Sequence, residues 1–461
     1  MFLEDSLLGG PLDPRRGGWL SAAVQQGPIL CVALALVVAA RRRGWVRAPG
    51  RWPRPESFAA FLVRGVPVVD ARTVAIFRIV FAAGLVLVLR SRPIPASWLT
   101  AGTYAAVVCF GIGLYARAAL AVASAGMYFW MTAYTAHFGS HPVATLVVAL
   151  PCMCPVRWSD ALGVDAWLRG ARPGPPSRAY GYAIWAPLLV VAVALHAAAW
   201  AKLLTPEWIA NGTVRYAFVA DYHRASVDWG LWIASHPAAA VAASAAAVVL
   251  EAVVITAAFA VSWKYRLAVG AATWGLFAGF YLLQGELWLA WWLLLSAFLP
   301  WPLLTRQWTG QAAGGLTRVQ WAAAALVVLV QVVASVARLE IAPAISAYDM
   351  YSTTFKSPRA FDRANPMYRY RFEAETASGR RLDVTDCFDR PATPQEARVW
   401  GERSAVLRSA LEACELALPP DIGALRLYES LQAFDWEKGE FYWRYRDQPV
   451  WGVSLPAGDV R

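Results

Sequence analysis

The run from residue 180 to residue 202, YGYAIWAPLLVVAVALHAAAWAK, decides the class of this chain. It carries no charged residue before Lys202 and matches the roughly 20 apolar residues a helix needs to cross a bilayer. Nine further apolar runs accompany it: 19–40, 71–90, 97–115, 117–138, 142–156, 236–261, 266–284, 285–304 and 318–337. The run 142–156 is short enough to be half-buried or re-entrant, and those meeting at Gly285-Glu286 are barely separated. So many runs leave no room for a soluble core in the first two-thirds of the chain. The expected fold is mainly α, a polytopic transmembrane bundle of about ten spans with a small C-terminal α+β domain.

Composition agrees with that reading. Only 16% of the 461 residues are charged and 58% are hydrophobic, where a soluble protein carries about a quarter charged. An ordinary soluble enzyme and a disordered chain are both excluded. The net charge of +11 is uneven. Residues 1–337 hold 25 Lys/Arg against 12 Asp/Glu, and residues 338–461 hold 17 against 19. A basic excess confined to the apolar part fits loops at a membrane surface better than a nucleic-acid groove. The expected partners are membrane lipids and a lipophilic small molecule, with no nucleic acid.

Loop charge sets the orientation. If the loop after 19–40 is cytoplasmic, that side collects 16 basic residues, from Arg41, Arg42 and Arg43 through Arg117, Arg157 and Arg169 to Arg318, against five opposite. The expected place is the cell membrane, multi-pass, with the C-terminal domain extracytoplasmic. Three parts follow: an extra helix and basic loop over 1–64, the bundle over 65–337 and a soluble domain over 338–461. Met1 to Pro14 lacks the basic start of a signal peptide.

Beyond Arg338 the pattern is that of a soluble protein. Tyr368, Tyr370 and Phe372 alternate with Arg369, Arg371 and Glu373, which is the period of a strand. Ser378-Gly379 supplies a turn into a return strand at Leu382 and Val384. Thr393-Pro394-Gln395-Glu396 is a capping box that opens a helix to about Ala417. A second strand pair is expected over 424–435 and 440–453. Cys387 and Cys414 would pair if this domain faces an oxidising compartment. Neither a nucleophile–base arrangement nor a phosphate loop is visible in it.

Ionisable residues inside spans are costly, so each is a candidate for function. Arg78 cannot lose its charge, and Asp70, two turns earlier, is its expected structural partner. His137 and His141 stand four apart, and Gly139 and Pro142 interrupt the helix that two metal ligands would need. No acidic third ligand is near, so no metal site is expected; a structural hydrogen bond or a proton relay remain open. Lys202 follows His196 and Trp200 and precedes Thr205-Pro206-Glu207-Trp208. It reads either as a snorkelling anchor at a span end or as a lysine withdrawn from water that takes a proton. Glu251 lies mid-span with no cation within a turn, so it should be protonated or partnered from another span. The 24 tryptophans fit an aromatic belt or an aromatic-lined cavity for a flat or isoprenoid ligand. Trp200, Trp208, Tyr281, Trp288 and Trp291 are the candidate substrate-binding residues.

Several of these stretches resemble the HTTM domain family, the membrane domain shared with vitamin K-dependent gamma-carboxylase. Asp70 to Arg78 resembles its entry motif, and Gly113-Leu114-Tyr115-Ala116-Arg117 its short Gly-Leu-x-x-Arg turn. The stretch from His141 to Ser159-Asp160 and Val164-Asp165 is similar to its His-led segment. Lys202-Leu203 followed by Glu207-Trp208 and Asn211-Gly212 is the most specific match. The resemblance covers about residues 65–305 and implies a lysine base, Lys202, assisted by His141, acting on a reduced quinone with O2 as co-substrate. Phe280-Tyr281 departs from the Phe-His common in the family. The tail is shorter than the carboxylase's lumenal part, which weakens the case for a protein substrate.

Three functions follow as expectations. The first is a membrane enzyme whose Lys202, with His141, His196 and Glu251 as further catalytic candidates, moves a proton on a quinone-like substrate. The second is an isoprenoid or terpene cyclase, with aromatic faces stabilising cations and Glu251 or Asp221 as the acid. The third is a non-enzymatic membrane binding or assembly protein.

Overall fold

The computed structural model describes residues 64–91, 98–138, 141–170, 173–205, 207–285, 287–304, 315–337, 355, 357–387, 407, 411, 414, 419 and 421–454, without the side chains of 131–143, 302, 304 and 386. The expected first span 19–40, the basic loop after it up to Val63, Glu286 and, apart from Leu407, Leu411 and Cys414, the expected tail helix from Thr393 to about Ala417 lie outside these residues. Two units emerge, one built from residues up to Gly230 and from Pro237 to Thr354, the other from Leu231–His236 and the residues from Phe355 on.

Helices make up the first unit: α1 Ala71–Arg90, α2 Trp98–Ile112, α3 Ala116–Phe138, α4 His141–Met153, α5 Val164–Arg169 and α6 Arg178–Leu203. After them come α7 Glu207–Ala210, α8 Val214–Ala220, α9 Pro237–Phe259, α10 Trp263–Gln284, α11 Leu289–Leu295 and α12 Arg318–Ala337. By length and composition α1, α6, α9, α10 and α12 are long and apolar enough to cross a membrane, which makes five among the described residues. This is the make-up of a multi-pass membrane protein. At 13 residues α4 spans about 20 Å, short of the roughly 30 Å hydrocarbon core.

One helix organises the rest. In α6, 83% of the apolar window is buried within the protein, against 28% in α9, 28% in α10 and 22% in α12. Helix α6 is therefore the hub, and the other three turn most of their apolar surface outward. Ser177 opens it by accepting a hydrogen bond from the Tyr180 amide, which satisfies one of the donors left free at a helix start. Val69 and Ser177 exchange backbone hydrogen bonds just before α1 and α6, holding the two starts side by side. Gly181 is required by that approach, because a Cβ there would stand 1.6 Å from the Pro67 carbonyl oxygen.

The expected span 285–304 is corrected. The chain makes α11, a 3-10 turn Ser296–Phe298 and a separate helical turn Trp301–Leu304. Leu299 is extended at φ −63°, ψ 145°, because the residue before a proline, here Pro300, is driven out of the helical region.

The second unit carries a four-stranded antiparallel sheet of β1 Met367–Thr376, β2 Arg381–Asp383, β3 Ile422–Asp435 and β4 Glu440–Ser454, ordered β2-β1-β3-β4. Both hairpins fall where the alternation put them. Phe372, Ala374, Leu425 and Leu427 form its buried face with Val384, Leu407 and Leu411. Asp435 accepts from the amides of Glu437 and Lys438, an Asx turn that steers β3 into β4.

Cys387 and Cys414 form the expected disulfide across 27 residues of chain. A loop of that length, once closed, restricts the unfolded chain by about 3–4 kcal/mol in the chain-entropy model. Reducing it in the full-length protein should raise amide exchange in β1 and β3 by the equivalent of that free energy. Exchange in α6, read in the same samples, should not change.

Candidate functional site

The polar chemistry of the first unit gathers where α6 meets α9. Three side chains of α6 reach α9 in turn. Trp185 Nε1–H donates to the Ala258 carbonyl at 2.7 Å. His196 Nδ1 lies 3.1 Å from the Ala252 carbonyl, and Lys202 Nζ is 2.6 Å from both carboxylate oxygens of Glu251. Residue numbers rise along α6 as they fall along α9, so the helices run antiparallel.

Lys202 is 4% exposed and Glu251 3%. The lysine therefore turns into the protein, and the snorkelling reading is corrected. Glu251 has the cationic partner from another span that its isolation called for. It stands 14 residues after Pro237 and 8 before Phe259 in α9, so the pair sits at the middle of that helix. Past Leu203 the chain turns at Leu204 and Thr205 and continues as α7 and α8 beside the first half of α9. There the Val214 amide donates to Ser244 Oγ at 3.3 Å. Of the two readings the sequence left open, the anchor would end this span at the surface. Instead, α6 stops against the centre of α9 and short helices cover what remains.

Trp208 of α7 is 1% exposed, and Lys202 Nζ stands 5.4 Å from the centre of its ring. The ring face adds cation–π attraction to the ammonium and shields the pair.

His196 has both ring nitrogens engaged. Trp200 Nε1–H donates to His196 Nε2 at 2.8 Å. A carbonyl only accepts, so Nδ1 carries the proton toward Ala252 and the imidazole is neutral. That leaves His196 no free nitrogen while both bonds stand, and its role here is to tie α6 to the peptide beside Glu251. Trp200, expected at the substrate, holds this histidine.

Elsewhere the expected residues divide. Trp291 is fully buried and packs on Phe277 at 5.1 Å and Trp288 at 6.4 Å, within the bundle's core. Tyr281 is 42% exposed. His141 is the first residue of α4, and its side chain lies outside the description. Asp221, the alternative acid, pairs with Arg224 at 2.7 Å.

The expected Asp70–Arg78 pair is corrected. Eight residues of helix separate them by about 12 Å, and each finds nearer partners. Asp70 caps α1 by accepting from the Thr73 amide at 2.7 Å. Arg78, wholly buried, donates to the carbonyls of Gly111, Trp158 and Leu162. Those carbonyls belong to the last turn of α2 and to the loop between α4 and α5, so the guanidinium locks both onto α1. No sequence signal marks backbone carbonyls 33, 80 and 84 residues away as its partners.

Comparison with protein-family models, with curated proteins and with solved structures gives no match.

Proposed function

We propose that this chain is a multi-pass membrane enzyme that moves a proton on a lipophilic, quinone-like substrate, with the Lys202–Glu251 pair as the proton-exchanging group. The observation that carries the reading is that pair, fully buried between apolar helices with 2.6 Å contacts on both carboxylate oxygens. Removing two charges from water costs more than their attraction usually returns. Charged groups inside spans are rare, and substrate pathways, ion pathways and proton relays are where they are commonly retained. The break in the helical chain after Lys202 supports the same reading, since irregular backbone at membrane depth is tolerated where it is buried in protein or lines a cavity.

The chemistry needs one internal step before the substrate reacts. The ammonium proton of Lys202 passes to Glu251, leaving a neutral amine beside a carboxylic acid. The amine then takes the proton of the substrate's ring hydroxyl and becomes the ammonium that holds the phenolate. Trp208 keeps water from competing for that proton. The resemblance to the HTTM family, with its lysine base and O2 as oxidant, favours a reduced quinone. The 16-to-5 split of loop charge and the Cys387–Cys414 bridge support about ten crossings and an extracytoplasmic sheet.

Membranes holding the full chain, supplied with a short-chain reduced quinone and O2, test the reading. Glu251→Gln and Lys202→Met are each expected to lower quinone oxidation at least about a hundredfold, the scale of a lost acid–base group. Unchanged oxidation in both variants contradicts it. A second reading keeps the pair as a clamp, favoured by the Trp185 and His196 bonds that join the same two helices. It predicts loss of folded protein, with normal turnover by whatever remains folded.

A further inference from the structure

The two turns that close on Arg78 also shape the outer surface. Tyr115 and Leu162 have φ of 45° and 44°, and they are the non-glycine residues with positive φ among the described residues of the first unit. Bulky side chains rarely adopt that conformation. Both are nonetheless large, apolar and exposed, at 74% and 51%. The turns lie back to back: a Cβ on Gly163 would meet Gly113 Cα and its carbonyl oxygen at 3.2 Å, and the Asp165 amide donates to that same carbonyl at 3.1 Å. Helix α5 extends the surface with Trp167 at 80% exposed and Leu168 at 65%. Both positive-φ positions thus carry apolar side chains that face outward.

Charge is sorted on the same surface. Arg117, Arg157 and Arg169 are exposed. Arg117 Nε–H donates to the Val156 carbonyl at 2.8 Å, beside Arg157, and Arg169 reaches the Ser159 carbonyl at 3.3 Å. Two carboxylates, Asp160 and Asp165, stand among them. Asp160 accepts from the Tyr180 hydroxyl at 2.6 Å. Desolvation pushes the Asp165 carboxyl up, but the Tyr115 and Ala116 amides, the Ser159 hydroxyl and the charge of nearby Arg169 together hold it below its ordinary range. Three exposed arginines against two carboxylates leave a small excess of positive charge among large apolar side chains, at the common end of α3, α4 and α6.

We propose that this surface, the turns at Tyr115 and Leu162 with α5, is a docking site for anionic phospholipid. The arginines bind the headgroup phosphate, and Trp167 and Leu168 sit among the first acyl carbons. The inference needs the chain to lie in a membrane and is independent of the proton chemistry at Lys202.

The test is lipid retention. The full chain is purified from equal mixtures of phosphatidylglycerol and phosphatidylcholine, and the bound lipids are counted by mass spectrometry. Phosphatidylglycerol is expected in excess for the wild type. Arg157→Gln, whose side chain holds no structural bond, should cut that excess about fivefold, and Arg157→Gln with Arg169→Gln further, following the attraction of one basic residue to an anionic surface. High salt should have the same effect. Trp167→Ser with Leu168→Ser should lower retention of both lipids alike. A phosphatidylglycerol excess that is absent in the wild type, or unchanged in folded Arg157→Gln, overturns the proposal.

Discussion

Lys202→Met alone, or Glu251→Leu alone, is expected to destabilise the protein by about 3–5 kcal/mol, while the two together restore most of that loss. A single substitution leaves one charge buried without a partner, which is the costly state of an ion pair. The double variant removes both charges and leaves side chains of comparable volume between α6 and α9, which is often neutral or stabilising. Unfolding in mixed micelles against rising denaturing detergent reads the difference directly. The cycle also separates stability from chemistry, because a restored fold with no proton transfer is what a functional pair predicts. A clamp would leave the restored protein active.

The second large effect belongs to Arg78. Arg78→Met leaves the carbonyls of Gly111, Trp158 and Leu162 buried without that donor. At about 1–3 kcal/mol for each unsatisfied group, the loss should be at least about 3 kcal/mol. Arg78→Lys should recover little of it, since a compact ammonium cannot span three acceptors held in a fork. Thermal melting of the purified variants checks both, and a melting temperature near that of the wild type for Arg78→Lys would show that the two turns are held by other contacts.

The contrast between these two sites shows what the sequence could reveal. Apolar length found α1, α6, α9, α10 and α12, and strand alternation found both hairpins of the sheet, because each rests on periodicity within one segment. Glu251 announced its need for a cation through isolation in an apolar run. It could not name Lys202, 49 residues earlier, because the choice depends on where α6 ends against α9. The partners of Arg78 are hidden for a related reason: the nearest acid in sequence is Asp70, whereas the acceptors are backbone carbonyls that only the folded chain assembles. Pro300 carried a local signal that the run 285–304 breaks, and hydrophobicity alone hid it. Tyr115 and Leu162 gave no sign of positive φ, since neither residue type favours it.

The central claim is that the proton between Lys202 and Glu251 moves when a lipophilic hydroxyl arrives. Infrared difference spectroscopy of the full chain in lipid, recorded on adding a short-chain reduced quinone, tests it most directly. The account predicts loss of a carboxylate band and gain of a protonated-carboxyl band, both absent in Glu251→Gln. Quinone binding with no such exchange of bands would contradict it.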